Sequence, residues 1–435
     1  MSVEIKFQKL PVNLSGKFIL CLALVLSGIL IGSSTSVMSA DLSVSSDFPG
    51  GSAKVLKLDP ASNSIHITPA CDPKLGFPCW WYFRLDGVDT NQPVVLEVTA
   101  NQGVVQSGYK PRKLPADYSL PEYAAFSTDG TNWEHTERGE KQGGHSVYQI
   151  NASTSTLWLA WGPPFTLKED NQLIQETCAF CPYAKSFVLA RTRGDRPVPG
   201  VRISEPGATD GTRYTVWIQA RLHAWESGSS WVARGFVEWL VSNDPAAESL
   251  REKADIVIIP VMDVDSVETG QGGKDRLPHD PDEDWGSEPY FPEVAAGMKS
   301  LTALAKADRL DLFLDLHNPG YSARDIDFYL PAVPLLFPQR VANDDNFLKI
   351  VQEQMTGAIK FNGRIGPDGK TYDPVVDKSV DTWTAAQCQP HTISFTMEIP
   401  WNLSASTQEG YLKVGEQLGR SIDLYLQPAI RSGSQ

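Results

Sequence analysis

The stretch Ala220–Trp231 reads ARLHAWESGSSW and sets His223 three residues ahead of Glu226, directly after the apolar run YTVWIQ. An imidazole and a carboxylate at that spacing can reach one ion from a single turn. A second histidine, His317, closes the run LDLFLDLH and follows Asp315 by two, so those two side chains share a face. Zinc takes nitrogen and oxygen ligands, and a catalytic site keeps three from protein and leaves one position for water. A histidine at a strand end is often a hydrogen-bonded structural residue, and HxxE recurs by chance. Three strand-end ligands in one sheet nevertheless make a two-histidine, one-carboxylate set. Hydrolysis also needs a base. In ISFTMEIPW, Ile393, Phe395 and Met397 alternate with Ser394, Thr396 and Glu398. Glu398 is therefore expected on the polar face of a strand otherwise built for burial, where a carboxyl pKa rises unless paired. A water-facing edge glutamate is the alternative.

These residues need elements to hold them. From about Ser43 to Thr166 short runs such as SIHIT, WWYFRL, VVLEV and TLWLAW are separated by the turn signals DTNQP, STDGTN and KQGGH. That spacing predicts a small antiparallel β-sandwich over residues 41–167. Over 168–430 the long apolar runs RYTVWIQARLH, ADIVIIPVMDV and LDLFLDLHN alternate with the helical stripes SSWVARGFVEWLVS and PEVAAGMKSLTALAKA. The alternation predicts an α/β domain, a mixed, mostly parallel sheet flanked by helices, whose ligands gather at the strands' carboxyl ends. His223, Asp263/Asp265 and His317 fall there.

Residues 1–40 stand apart. Lys6, Lys9 and Lys17 precede the apolar run Phe18–Ile31 and the small, polar GSSTSVMSA, the order of a secretory signal peptide. The 14-residue run is shorter than the roughly 20 residues of a membrane span. The expected location is secreted or periplasmic, without stable membrane insertion after cleavage; an uncleaved anchor is the alternative. Removing three lysines and one glutamate with that segment takes the formal charge from −14 to −16, which argues against nucleic-acid partners and anionic membrane. Of the remaining cysteines, Cys71 and Cys79 are expected to form a disulfide, whereas the CAFC pair Cys178 and Cys181 reads as a strained local bridge or two plain thiols.

The set His223, Glu226, His317 and Glu398, with ARLHAWESGSSW, PVMDVDSV, DLFLDLHNP and FTMEIPW, resembles the zinc carboxypeptidase family, in particular its cytosolic-carboxypeptidase-like branch, which carries a small β-domain in front. YAAFSTDGTNW in the front half resembles that branch's tryptophan-bearing turn. The resemblance implies one zinc ion bound by His223, Glu226 and His317. It implies that Glu398 activates metal-bound water and protonates the leaving amine, and that Asp280 holds the first histidine. The expected substrate is a peptide or related amide.

The likeness breaks at DPDEDW, Asp280–Trp285. Where the family places an asparagine and an arginine that clamp a substrate's terminal carboxylate, this chain has Asp282 and Glu283. Two acids reverse the field, since arginine grips a carboxylate through a charged fork. An anchor subsite of this kind should prefer an ammonium, amide or hydroxyl beside the scissile bond. Arg276 is the expected oxyanion-stabilising cation with Lys274 second, Arg324 is a further candidate, and Tyr372 corresponds to the family's substrate-contacting tyrosine. A catalytically inactive zinc-containing binding protein of the same fold is the alternative function.

Overall fold

The computed structural model describes residues 41–106, 111–206, 213–367 and 378–431. The expected signal segment and Tyr372 lie outside these residues. Among them no helix is long and apolar enough to cross a membrane.

The front strands run from Ser43 to Ala160 and form two five-stranded sheets and a short two-stranded ribbon, Val104–Val105 with Arg112–Lys113. One contains Tyr82–Asp86, Ala125–Ser127 and Thr156–Ala160; the other contains Ser64–Thr68, Val94–Thr99 and His145–Ile150. Their alternating buried residues, among them Ile65, Ile67, Leu96, Val98, Leu157 and Leu159, make the core. Pairing is antiparallel except between Ser64–Thr68 and Val94–Thr99, which run parallel. The chain crosses to the other sheet at Tyr82–Asp86 between them, so it re-enters in its original direction.

The second region is built on eight strands: β1 (Ala184–Arg191), β2 (Pro197–Ile203), β3 (Tyr214–Ala220), β4 (Ala254–Ile259), β5 (Leu312–His317), β6 (Ile326–Leu330), β7 (Phe361–Pro367) and β8 (Ile393–Glu398), in the order β1-β2-β4-β3-β5-β8-β6-β7. The central four, β4, β3, β5 and β8, are mutually parallel, and every residue of β3 and β5 is buried. Continuous burial is what a parallel strand covered on both faces requires. Helices Ser227–Leu240 and Gln408–Tyr425 pack closely on one side. Their approach needs glycines: a Cβ at Gly235 would lie 2.2 Å from Leu412 O, and one at Gly415 2.2 Å from Val232 O.

The two regions share a core. Trp225 and Trp401, from loops following β3 and β8, complete the hydrophobic cluster of the front sandwich. Trp161 lies 5.4 Å from Trp225 and 4.3 Å from Trp401, centroid to centroid, and Tyr118 lies 5.9 Å from Trp225. The disulfide expected between Cys71 and Cys79 is not formed. Both are buried free thiols, and Cys71 donates instead to Trp80 O at 3.1 Å and Gly270 O at 3.3 Å, across the boundary between the regions. Cys178 and Cys181 are plain thiols at the end of helix Leu167–Phe180.

Candidate metal centre

The loop after β3 opens with Arg221 in the left-handed backbone region (φ 67°). Its buried guanidinium donates to Ala224 O at 2.7 Å and Phe165 O at 3.1 Å, which fixes the turn that carries His223 and Glu226. A charged residue closing an apolar strand was the visible signal for this role, and reading the sequence for chemistry passes over it. Gly273 (φ 80°) presses on the same turn, where a Cβ would stand 2.6 Å from Ala224 N.

His223 Nδ1 lies 2.9 Å from Glu226 Oε1, and His317 Nδ1 lies 2.9 Å from Glu226 Oε2 and 3.1 Å from His223 Nδ1. All three residues are buried. The far nitrogens are also engaged: His223 Nε2 with Asp280 Oδ1 at 2.8 Å and His317 Nε2 with Asp315 Oδ2 at 2.8 Å. A carboxylate accepts only, so each Nε2 carries hydrogen, and a neutral ring then turns a lone pair on Nδ1 toward its neighbours. Two lone pairs and a carboxylate facing one point repel unless a cation lies between them. Without a metal, protons supply it. Burial works against the His223 imidazolium, but Asp280 and Glu226 outweigh it and raise the pKa to about 9; for His317, Asp315 and Glu226 likewise outweigh burial and hold the pKa well above the usual imidazole value. The donor set, two imidazole nitrogens and a carboxylate with the outer nitrogens tied down, fits zinc.

Asp280 is itself fixed by the backbone N–H groups of Asp275 and Asp282, at 2.8 and 2.9 Å. Asn318 joins the strand ends. Its N–H donates to Glu226 Oε2 at 3.1 Å, its Oδ1 accepts from Ser229 N at 3.2 Å, and its Nδ2 donates to Ile399 O. The sequence set Asp315 on the face of His317 but showed nothing of Asn318 or its partners.

Glu398 ends β8 directly opposite His317 in the parallel register with β5. Ser394 and Thr396 on the same side of the strand are buried, and Glu398 at its end is partly buried. Burial raises the Glu398 pKa to about 7, opposed by His317 and reinforced by Glu226. Its Oε2 is buried without a hydrogen-bond partner among the described residues.

The basic residues divide differently from the sequence expectation. Arg276 donates to Asp263 Oδ1 at 3.2 Å and Ser266 Oγ at 2.9 Å and lies over the Phe291 ring. Lys274 is the cation in the field of the cluster: its Nζ is 4.0 Å from Asp280 Oδ2. Against partial burial, Asp280, Glu226, Asp282 and Glu398 raise its pKa. Between the two, Asp275 takes φ 56°, and this left-handed residue turns the chain so that neighbours two apart diverge. Arg324 binds Glu122 at 2.8 Å and serves the boundary between the regions. Asp282 carries a carboxylate oxygen within 4.8 Å of ligand atoms of Asp315 and His317. Burial raises its pKa to about 6, with His317 and His223 acting against the rise. Glu283 follows in the same short turn, partly buried.

Glu293, at the start of helix Pro292–Lys306, is buried, and burial, reinforced by Asp263 and Asp265, raises its pKa to about 8. The folded chain thus holds a proton there that the unfolded chain releases above about pH 4.5. Stability from this group is complete below that value and declines as pH rises toward about 8, by at most about 1.4 kcal/mol per unit. Glu293→Gln should therefore raise the melting temperature at pH 9 and leave it nearly unchanged at pH 5. Thermal melts with equal shifts at both values would contradict the assignment.

Residues 171–287 match the family model described as zinc carboxypeptidase, and residues 44–161 match the cytosolic carboxypeptidase N-terminal domain. The first match spans His223, Glu226 and Asp280–Glu283; His317 and Glu398 lie beyond it. The chain is 25% identical over 226 residues to an uncharacterized protein of Zymomonas mobilis, covering 52% of this chain and 54% of that protein. It is 34% identical over 271 residues to human cytosolic carboxypeptidase 1, covering 55% and 22% respectively. The chain thus spans about half, or less, of the length of these relatives. Among solved structures, a metallo-carboxypeptidase from Burkholderia cenocepacia superposes with a TM-score of 0.73 at 20% identity, covering 88% of this chain and 99% of the other. One from Pseudomonas aeruginosa gives 0.72 at 17% identity, covering 88% and 98%. These two share the fold. With both family models matched in order, over more than half of its length in total, the chain belongs to the zinc carboxypeptidase family, in the branch that carries a cytosolic carboxypeptidase N-terminal domain.

Proposed function

We propose that the chain is a zinc-dependent hydrolase of peptide or related amide bonds, with one ion at His223, Glu226 and His317 and with Glu398 as base. The observation that supports this reading is the meeting of two imidazole nitrogens with a carboxylate, beside Glu398, which is in register with His317 and whose Oε2 is buried without a hydrogen-bond partner among the described residues. When bound, a zinc ion supplies Lewis acidity and lowers the pKa of a water to about 7. Glu398 accepts the proton of the attacking water and returns it to the leaving amine. A pKa of about 7 balances both transfers near neutral pH. Lys274 takes the role first assigned to Arg276: it stands as the cation for the developing oxyanion, while Arg276 braces the loop after β4 through Asp263.

Asp282 and Glu283 give the site its preference. A substrate's free terminal carboxylate would meet Asp282 beside Asp315, where a further anion is disfavoured. Substrates with an ammonium, amide or hydroxyl next to the scissile bond fit instead. The pair Asp282→Asn and Glu283→Arg should raise the release of C-terminal residues from peptides by about 10- to 100-fold, the worth of one or two charge-assisted hydrogen bonds. Efficient trimming of ordinary C-termini by the unaltered protein would refute the acidic subsite and leave the hydrolase reading standing.

A further inference from the structure

The outer face of the front sandwich gathers a second set of ligand-type side chains. His66, Glu97, Thr99 and His145 stand on the neighbouring strands Ser64–Thr68, Val94–Thr99 and His145–Ile150. In register, His66 faces Glu97 and His145 faces Thr99. The residues alternating with them, Ile65, Ile67, Leu96, Val98, Ser146 and Tyr148, are buried, so these four project outward together from a packed sheet.

Their separations suit an ion better than one another. His145 Nδ1 lies 3.3 Å and His66 Nε2 3.6 Å from the same oxygen, Glu97 Oε1. A charge-assisted hydrogen bond would be about 2.7–2.9 Å. The edge of a tetrahedron with bonds of about 2.0–2.1 Å is roughly 3.3 Å. Thr99 Oγ1 lies 2.6 Å from His66 Nε2 and 2.8 Å from His145 Nδ1. A hydroxyl donates to one ring and accepts from the other, which holds both rings beside Glu97; an ion would replace these two bonds and release the one ring proton.

We propose that His66, Glu97 and His145 form a second metal site, for a divalent transition-metal ion such as zinc or copper, with a water completing the coordination. Two imidazoles and one carboxylate select those ions over calcium and magnesium, which take oxygen ligands. The side chains of His66, Glu97 and His145 are 24, 39 and 48% exposed, so the ion exchanges with solution directly and is held less tightly than one at the buried centre. Bound, it ties three strands of the front domain together, independently of hydrolysis.

The test is equilibrium dialysis of the full chain against buffered micromolar zinc, with zinc per chain measured by mass spectrometry. His66→Ala with His145→Ala should bind one ion fewer than the unaltered protein while its circular dichroism is unchanged. The milder Glu97→Gln and His145→Asn, on partly exposed positions, should keep the fold and weaken the more loosely held ion by at least about tenfold. Equal zinc content in the unaltered protein and the double variant would overturn the proposal. So would a loosely held ion whose affinity ignores Glu97→Gln and His145→Asn, since it would then sit elsewhere. Either outcome leaves the buried centre untouched, because its ion is lost only with His223, Glu226 or His317.

Discussion

Glu398→Gln should lower kcat/KM on any amide the protein cleaves by about 10³-fold while leaving the zinc content of the buried centre unchanged. Glutamine keeps the shape of the side chain and cannot take a proton. Glu398 contributes no atom to the meeting of His223, Glu226 and His317, so the loss should fall on turnover rather than on metal. The pH profile gives a second readout. A base works when deprotonated, and burial has raised this carboxyl to about 7. Activity of the unaltered protein should therefore climb as pH rises through about 7, and the residual activity of the variant should lack that limb. Hydrolysis surviving at near-normal rates in the variant would remove Glu398 from the chemistry. A panel of amides that the unaltered protein leaves intact, with and without chelator, would favour the inactive binding protein instead.

His223→Ala should abolish both hydrolysis and the tightly held ion, and should destabilise the chain by about 3–5 kcal/mol, the cost of stranding a buried charge. The stranded groups are Asp280 and Glu226, each buried and each within 3 Å of the ring that is removed. Asp280→Asn leaves the ligand in place and loosens its orientation, so zinc should weaken by only about 10- to 100-fold. Zinc titration in a chelator buffer, paired with urea denaturation, separates the two variants. A His223→Ala protein that retains its tight zinc would show that the three residues do not hold the ion.

Much of this centre was legible in the chain because its pieces sit where one-dimensional patterns are strongest. His317 and Glu398 close apolar runs that read as buried strands, and HxxE follows a third. The sequence could not show that β5 and β8 are neighbours in register; that depends on sheet order, which no local run encodes. It also misjudged the loop after β4. Arg276 ranked ahead of Lys274, but nothing local showed that Arg276 would meet Asp263 and Lys274 Asp280, on either side of the left-handed Asp275. The Cys71–Cys79 expectation failed for a related reason: proximity in sequence said nothing of the carbonyl at Gly270 that Cys71 meets. Alternation in β8 pointed to a raised proton affinity for Glu398, and burial raises it; it did not show that Ser394 and Thr396 on the same side are buried too.

The tryptophans beside Glu226 and beyond Glu398 have a consequence for how the molecule is made. Trp225 and Trp401 finish a core that belongs mostly to the first third of the chain. Ribosomes release that part before the segments that carry these two tryptophans, so its core can close only when they arrive. Whatever the front domain does for substrates, it is also the mould in which the reactive loops set.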